Sequence, residues 1–211
     1  AEKTSISEAA YLNATKVNGR QLPLGGAAGA ANLEGFLFPS TYDLDPGIDA
    51  VMLVDRQLDR FNTQTASVEW GKAGRLGLNA YQVLIVASLI EREAKIADER
   101  ALIAAVMYNR LSAGMKLEVD ATVQYALGYW KPELTQDDLD IDSPFNTRLY
   151  KGLPPGPICN PGLDSINAAL KPEQVDYLYF VATGDKEGSH FFTSSYDDFL
   201  RAKEESGTGG R

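Results

Sequence analysis

An apolar run that ends in acidic residues constrains the fold of this chain more than any other feature. The stretch from Tyr81 to Ile90 is apolar at almost every position, and Glu91 and Glu93 follow it at once. Asn79, just before the run, and Gln82, near its start, have the spacing of a capping box, which opens helices. A helix that is apolar around most of its circumference has to be enclosed by the rest of the protein. The sequence therefore predicts a central helix with two carboxyl groups at its end.

The segments around this helix predict a mixed α+β fold. A second helix is expected from about Asp98 to Leu111, so that the two helices form a central hairpin. Two aromatic segments, YLYFVAT at 177–183 and HFFTSS at 190–195, predict a small sheet of paired strands across the turn GDKEG. The other predicted elements are helices at about 4–17, 48–64, 164–169 and 196–205, and a β-prone stretch at 34–44.

A long loop rich in proline and glycine follows the hairpin region. The segment SPFNTRLYKGLPPGPICNPG at 143–162 combines residues that fix φ with residues that allow tight turns, so it is expected to be rigid and to line a cleft. The run GGAAGAAN at 25–32 predicts a linker, which makes 1–30 an appended segment and 31–205 the main domain. Residues 206–211 are expected to be a disordered tail. The opening AEKTSISEAAY reads as the middle of a longer chain.

Charge and residue counts exclude several classes of protein. A net charge of -9 argues against nucleic acid as a partner, because such binding depends on an excess of Lys and Arg. Cys159 is the only cysteine and His190 the only histidine, so an internal disulfide, a thiolate zinc site and a histidine-rich metal site are excluded. A metal site made of carboxylates alone stays possible, but the acids occur in runs and not in a metal-binding loop pattern, so no metal is expected. Cys159 is interpreted as a loop filler rather than a nucleophile.

The two acids at the end of the central helix allow more than one interpretation. On a helical wheel Glu91 falls in one sector with Ser88 and Lys95, whereas Glu93 lies on the opposite side. Glu91 could simply pair with Lys95 on the surface. Either carboxyl group, if stripped of water, would have a raised pKa and could protonate a glycosidic oxygen as a general acid. The pattern alone does not choose between them.

Six motifs in order along the chain resemble the YceG-like endolytic murein transglycosylases of the MltG type, a family formerly labelled aminodeoxychorismate lyase. The resemblance implies that 31–205 form the catalytic domain, and that the residues before it are the remnant of a LysM-like appendage. The motifs are LEGFLFPSTY at 33–42, ASLIEREA at 87–94, NRL at 109–111, LEVDATVQYALG at 117–128, the loop at 143–162, and YLYFVATGDKEGSHFF at 177–192.

The resemblance also implies an activity and a place of action. Members of the family cut peptidoglycan strands between N-acetylmuramic acid and N-acetylglucosamine, leave 1,6-anhydro-muramic ends, and so terminate strand growth. They are anchored by an N-terminal helix and act at the outer face of the cytoplasmic membrane. The implied partners are glycan strands, peptidoglycan synthases (penicillin-binding proteins) and the elongation machinery. No metal or organic cofactor is implied.

The family motif assigns the catalytic role to the first acid of ASLIEREA, which is Glu91 here. The sequence departs from the family pattern at Ala121, where proline is usual, and at Phe145 and Arg148, where tyrosine is common. Further polar residues in the motifs are candidates for binding sugars or orienting Glu91, although turn caps and loop anchors would look the same. These candidates are Glu34, Asp120, Gln124, Asn146 and His190.

Two other functions are compatible with parts of the sequence. One is a glycan-binding module without catalysis that recruits cell-wall synthases, and the intact ASLIEREA motif argues against it. The other is a pyridoxal-phosphate-dependent aminodeoxychorismate lyase. That enzyme would need a Schiff-base lysine and a phosphate-binding cup, and no motif for either is found in the sequence.

Overall fold

A computed structural model describes residues 6–26 and 32–207 of the chain. Within them the chain forms a mixed α+β fold, as predicted, in which α-helices surround one central helix and a small antiparallel sheet lies at the side. The α-helices are α1 (Glu8–Ala14), α2 (Ala50–Gln64), α3 (Ala80–Glu93), α4 (Arg100–Ser112), α5 (Asp120–Leu127), α6 (Gln136–Leu139), α7 (Leu163–Leu170) and α8 (Tyr196–Glu205). The strands are β1 (Tyr179–Ala182) and β2 (His190–Thr193), and short 3-10 helices occur at Pro23–Gly25, Trp70–Leu76 and Ala97–Glu99.

The central helix α3 is the middle of the hydrophobic core. The predicted capping box is present, since the side chains of Asn79 and Gln82 each accept a hydrogen bond from the other residue's backbone N–H, both at 2.9 Å. From Val83 to Ile90 every residue of α3 is buried. Helices α4 and α7 pack against α3, so the predicted hairpin of α3 and α4 is confirmed and α7 completes the enclosure.

The two strands pair across the GDKEG turn, as predicted, and the pairing is antiparallel. Phe180 lies opposite Phe192, and Ala182 lies opposite His190. Helix α8 packs on both strands of this sheet. Arg110 of α4 connects the sheet to the hairpin, because its Nε donates to the carbonyl oxygen of Leu178 at 2.6 Å.

The β-prone stretch at 34–44 does not form a strand, which corrects the sequence prediction. Residues 34–37 form a turn instead, in which the backbone N–H groups of Gly35 and Leu37 donate to Asn160 Oδ1 at 2.8 and 3.1 Å. Gly35 has φ of 89°, and a Cβ there would lie 2.5 Å from Pro157 Cγ. A contact 123 to 125 residues away in sequence thus overrides local strand propensity.

Helix α1 begins after Ser7, whose side chain accepts a hydrogen bond from Ala10 N. It packs on α2, and Ala14 shares a small buried cluster with Leu33 and Val54. The predicted boundary near residue 30 stays a prediction, and most of the GGAAGAAN stretch lies outside the described residues. Of the tail predicted at 206–211, residues 206 and 207 form the turn that ends α8, and the rest lies outside the described residues.

No single helix in the described parts of the chain has both the length and the apolar character needed to cross a membrane. By length and composition alone, one bent pair passes that test, namely Trp70–Leu76 with Ala80–Glu93 at 85° to each other.

Candidate active site

Glu91 lies in the last turn of α3, where its carboxylate meets the beginning of α7. Its Oε2 accepts a hydrogen bond from Ser165 Oγ at 2.6 Å and another from the backbone N–H of Gly162 at 3.2 Å. Gly162 is the N-cap of α7, so the carboxylate occupies the end of that helix that favours negative charge. No described residue donates to Oε1. Among the described residues, hydrogen bonds therefore hold only one of the two carboxylate oxygens of Glu91.

The loop at 157–162 is attached directly to α3 beside Glu91. The buried Ser88 Oγ accepts from Ile158 N at 3.1 Å and itself donates to the carbonyl oxygen of Ile85 at 2.7 Å. Cys159 Sγ donates to the carbonyl oxygen of Ser88 at 3.3 Å. These contacts bring the proline- and glycine-rich loop alongside the carboxylate, so that the loop forms one side of the site.

Cys159 has the properties of a filler in this loop. Burial, and secondarily the negative charge of Glu91, raises the pKa of its thiol to about 12. A thiol with that pKa is almost entirely protonated at neutral pH and is a poor nucleophile. This agrees with the interpretation made from the sequence.

Glu93 points toward a different element from Glu91, namely the beginning of α5. Burial, followed by the negative charge of Asp120, raises the pKa of Glu93 to about 7. A hydrogen bond from the backbone N–H of Ala121 and the positive charges of Arg92 and Arg148 act in the opposite direction. The carboxyl group of Glu93, with a pKa of about 7, therefore gains and loses its proton near neutral pH.

Glu34 lies on the same side of the molecule as Glu91. Burial raises the pKa of Glu34, and the charges of Glu34 and Glu91 both raise the pKa of the Cys159 thiol between them. Glu34 also raises the pKa of Tyr125 on α5. The turn that carries Glu34 is held in place by Asn160 of the proline-rich loop. Glu34 is therefore a predicted binding residue whose charge acts on the same thiol as the charge of Glu91.

Asp120 and Gln124 form contacts within the neighbouring structure. Asp120 Oδ1 accepts from Arg148 Nε at 2.5 Å, which gives the unusual arginine of the loop a partner. Gln124 Nε2 donates to the carbonyl oxygen of Lys131 at 2.7 Å, and its Oε1 accepts from Lys131 N at 2.9 Å. Asp120 borders Glu93, whereas Gln124 braces the chain after α5.

Asn146 and His190 are held by the protein in the same way. Asn146 is fully buried, and its Nδ2 donates to the carbonyl oxygens of Leu139 and Ile141 at 2.9 and 3.0 Å. His190 Nδ1 lies 2.7 Å from Glu99 Oε2, and its backbone N–H donates to Glu99 Oε1 at 2.8 Å. These contacts are those of loop anchors, and a role in binding sugar stays a prediction for both residues.

The partners of Glu91 were not identified from the sequence. Ser165 was assigned only to a short helix, and Gly162 only to the rigid loop. Ser165 is a fully buried polar residue in the first turn of α7, between apolar positions that face the core. A serine on the apolar face of a short helix is a weak signal that could have marked it.

Two cavities in the described part of the chain are not lined by Glu91. One of about 1140 Å³ is lined by the first turns of α3, including Tyr81 and Ile85, and by Pro154 and Pro155. Another of about 670 Å³ adjoins it beside Tyr108. Among residues 6–26 and 32–207, no group of three His, Cys, Asp or Glu side chains is placed to hold a metal ion.

Comparison with known proteins relates this chain to enzymes of the cell wall. It is 40% identical over 173 residues to an endolytic murein transglycosylase of Bacillus subtilis, which covers 82% of this chain and 47% of that protein. It is 33% identical over 205 residues to one from Streptococcus pneumoniae, which covers 95% of this chain and 36% of that protein. The chain thus spans about half or less of the length of these curated relatives.

A solved structure and a family model agree with this relationship. The crystal structure of a yceG-like protein from Listeria monocytogenes superimposes with a TM-score of 0.79 at 32% sequence identity, over 91% of this chain and 66% of that one. The model of the YceG-like family matches residues 2–205, which is nearly the whole chain. With its ordered motifs, its fold and this match in agreement, the chain belongs to the YceG-like family.

Proposed function

We propose that this protein is an endolytic lytic transglycosylase that cuts peptidoglycan strands, with Glu91 as the group that gives and takes the proton. The observation that carries the proposal is the asymmetry of the Glu91 carboxyl group. Oε2 accepts two hydrogen bonds from α7, whereas no described residue donates to Oε1. The names of the relatives from B. subtilis and S. pneumoniae support the choice of substrate.

The asymmetry of Glu91 fixes where its proton can be. An oxygen that accepts from Ser165 Oγ and Gly162 N has little room for a proton of its own, so a neutral Glu91 carries the proton on Oε1. Oε1 then donates this proton to the glycosidic oxygen as the bond from that oxygen to C1 of N-acetylmuramic acid breaks. The leaving sugar departs with a free 4-hydroxyl group.

The second step closes the ring of the muramic residue. Its C6 hydroxyl oxygen attacks C1, and its proton passes to the Glu91 carboxylate, which restores the starting state. The product is the 1,6-anhydro sugar, and no water is consumed. One carboxyl group is sufficient for both steps, unlike in hydrolases, which use two.

Ser165 and Gly162 serve the intermediate stage of this cycle. When Glu91 has given up its proton, the hydrogen bonds from Ser165 Oγ and Gly162 N are made to a charged carboxylate, and such charge-assisted bonds are stronger. The dipole of α7 acts in the same direction. The protein thereby lowers the free energy of the charged form that must exist between the two proton transfers.

Glu93 is a second candidate for the acid because its pKa of about 7 suits proton transfer at neutral pH. We assign it a supporting role, since its carboxyl group accepts from Ala121 at the start of α5. The choice is decided by digesting uncrosslinked glycan strands with the wild type, Glu91→Gln and Glu93→Gln, followed by mass spectrometry. We expect anhydro-muramic ends from the wild type and Glu93→Gln, and none from Glu91→Gln.

Other results of the same digestion would contradict the proposal. Reducing ends without the anhydro mass loss would identify a hydrolase. Undiminished cleavage by Glu91→Gln would remove Glu91 from the mechanism. Binding of strands without cleavage by the wild type would favour the glycan-binding module, and visible absorbance from bound pyridoxal phosphate would favour the lyase.

The place of action and the partners are part of this proposal. A chain that cuts nascent strands would work at the outer face of the cytoplasmic membrane, beside the peptidoglycan synthases that produce them. Anchoring would come from an N-terminal membrane helix outside this sequence. Fractionation of cells that express the full-length protein, with antibodies to this chain, tests the location, and crosslinking to penicillin-binding proteins tests the partners.

A further inference from the structure

Two neighbouring aromatic side chains project into solvent just after α5. Tyr129 is 58% exposed and Trp130 is 68% exposed. Single apolar residues are common on protein surfaces, but here two consecutive large rings are both more than half exposed to water. Tyr and Trp are also the residues that most often provide flat contact surfaces in binding sites.

The turn that carries these rings is braced. Gly128 ends α5 with φ of 75°, and the Gln124 side chain holds both the N–H and the carbonyl oxygen of Lys131. The Lys131 ammonium also pairs with Asp138 at the start of α6. The turn at 128–131, called the tip below, therefore holds the backbone of both aromatic residues in place. A fixed backbone reduces the conformational entropy that is lost when a ligand binds.

The tip lies at the C-terminal end of α5, a helix that packs against the central helix α3. Helix α5 starts at Asp120, next to Glu93, and Tyr125 in its second half lies near Glu34. Eight residues of helix extend about 12 Å. A glycan strand that passes Glu34 and follows α5 would reach the tip within a few sugar rings of the bond that is cut.

The charges around the tip restrict what it can bind. Glu133, Asp137 and Asp140 are exposed acidic residues on the segment that follows, and the whole chain has a net charge of -9. Such a surface repels anionic lipid headgroups and polyanions. The uncharged C–H faces of N-acetylated sugar rings meet no such repulsion and stack on aromatic rings.

We propose that Tyr129 and Trp130 form a distal subsite that stacks N-acetylhexosamine rings of the glycan strand. The proposal rests on the proposed function, because it gives the strand a path from Glu91 along α5. The subsite contributes to binding and to the choice of long strands, and not to the chemical steps.

The test measures binding of chitohexaose, a neutral β-1,4-linked N-acetylglucosamine oligomer, by calorimetry on the intact chain. We expect Trp130→Ala and Tyr129→Ala each to weaken binding about three- to tenfold, and Trp130→Phe to retain most of the affinity. Tyr196→Ala is the matched control, because Tyr196 on α8 is 55% exposed and remote in sequence from α5. It should leave the affinity unchanged.

Intrinsic fluorescence provides a second readout that does not depend on whether Trp130→Ala and Tyr129→Ala fold. The chain contains two tryptophans, so Trp70→Phe leaves Trp130 as the only reporter. We expect its emission to change on titration with chitohexaose and to stay constant with vesicles of phosphatidylcholine and phosphatidylglycerol. Equal affinities for Trp130→Ala and Tyr196→Ala, or a response to vesicles alone, would overturn the proposal.

The outcomes also separate this subsite from the proposed activity. Strand cleavage by the wild type together with unchanged binding by Trp130→Ala would remove the subsite and leave the activity intact. Binding that depends on Trp130, with no cleavage by the wild type, would support the subsite and reject the activity.

Discussion

Replacing Glu93 by Gln should make the protein more stable in neutral and alkaline solution. The carboxyl group has an ordinary pKa of 4.5 in the unfolded chain and about 7 in the folded protein, chiefly because of burial. Between these values the folded state keeps a proton that the unfolded state has released. The free energy of unfolding therefore falls as the pH rises through this window.

The size of the effect follows from the same two values. Each pH unit between them corresponds to about 1.4 kcal/mol, so the wild type loses roughly 3 kcal/mol from this group between pH 4.5 and pH 7. Glutamine has nearly the same shape and stays neutral, and its side-chain oxygen can still accept from Ala121 N. Glu93→Gln should match the wild type below pH 4.5 and exceed it by up to roughly 3 kcal/mol above pH 7.

The assay is urea unfolding followed by tryptophan fluorescence at half-unit steps from pH 4 to pH 8.5. The informative quantity is the difference between variant and wild type, because other titrating groups cancel in it. Glu187→Gln is the control for the loss of one negative charge, since Glu187 is exposed on the turn between β1 and β2. If Glu93→Gln followed the wild type in parallel across the whole range, as Glu187→Gln should, the desolvation of Glu93 would be refuted.

Two further substitutions test how the site is built. Ser165→Ala removes one charge-assisted hydrogen bond to Glu91, worth about 1.5–3 kcal/mol. It should lower kcat for strand cleavage roughly 10- to 150-fold with little change in KM. An unchanged kcat would show that Ser165 does not stabilise the charged form. Gly35→Ala places a methyl group 2.5 Å from Pro157 Cγ, at a residue with a φ of 89°. It should destabilise the protein by about 1–3 kcal/mol, measured as a lower Tm. An unaltered Tm would mean that the turn at 34–37 and the loop do not touch as described.

The elements that could be predicted from the sequence are those fixed by local chemistry. The capping box at Asn79 and Gln82 and the apolar run after it define α3 by themselves, and the structure reproduces them. The pairing of β1 with β2 follows from two aromatic segments separated by a short turn. In each case the decisive contacts join residues close together in the chain.

The features that escaped prediction depend on contacts across the chain. Glu91 is 71 residues from Gly162 and 74 from Ser165, so no local pattern indicates that they meet. The turn at 34–37 has the composition of a strand, and only the distant Asn160 makes it a turn. The raised pKa of Glu93 comes chiefly from burial and secondarily from Asp120, and both depend on elements that the helical wheel of α3 does not include.

Ser88 and Glu91 attach the proline-rich loop to α3 at two points one helical turn apart. Ser88 holds Ile158, and Glu91 holds Gly162. The loop length between Ile158 and Gly162 therefore has to fit the distance between Ser88 and Glu91 along α3. When such segments are exchanged between relatives or grafted into designed enzymes, an added or deleted residue between Ile158 and Gly162 would move the α7 donors off the carboxylate.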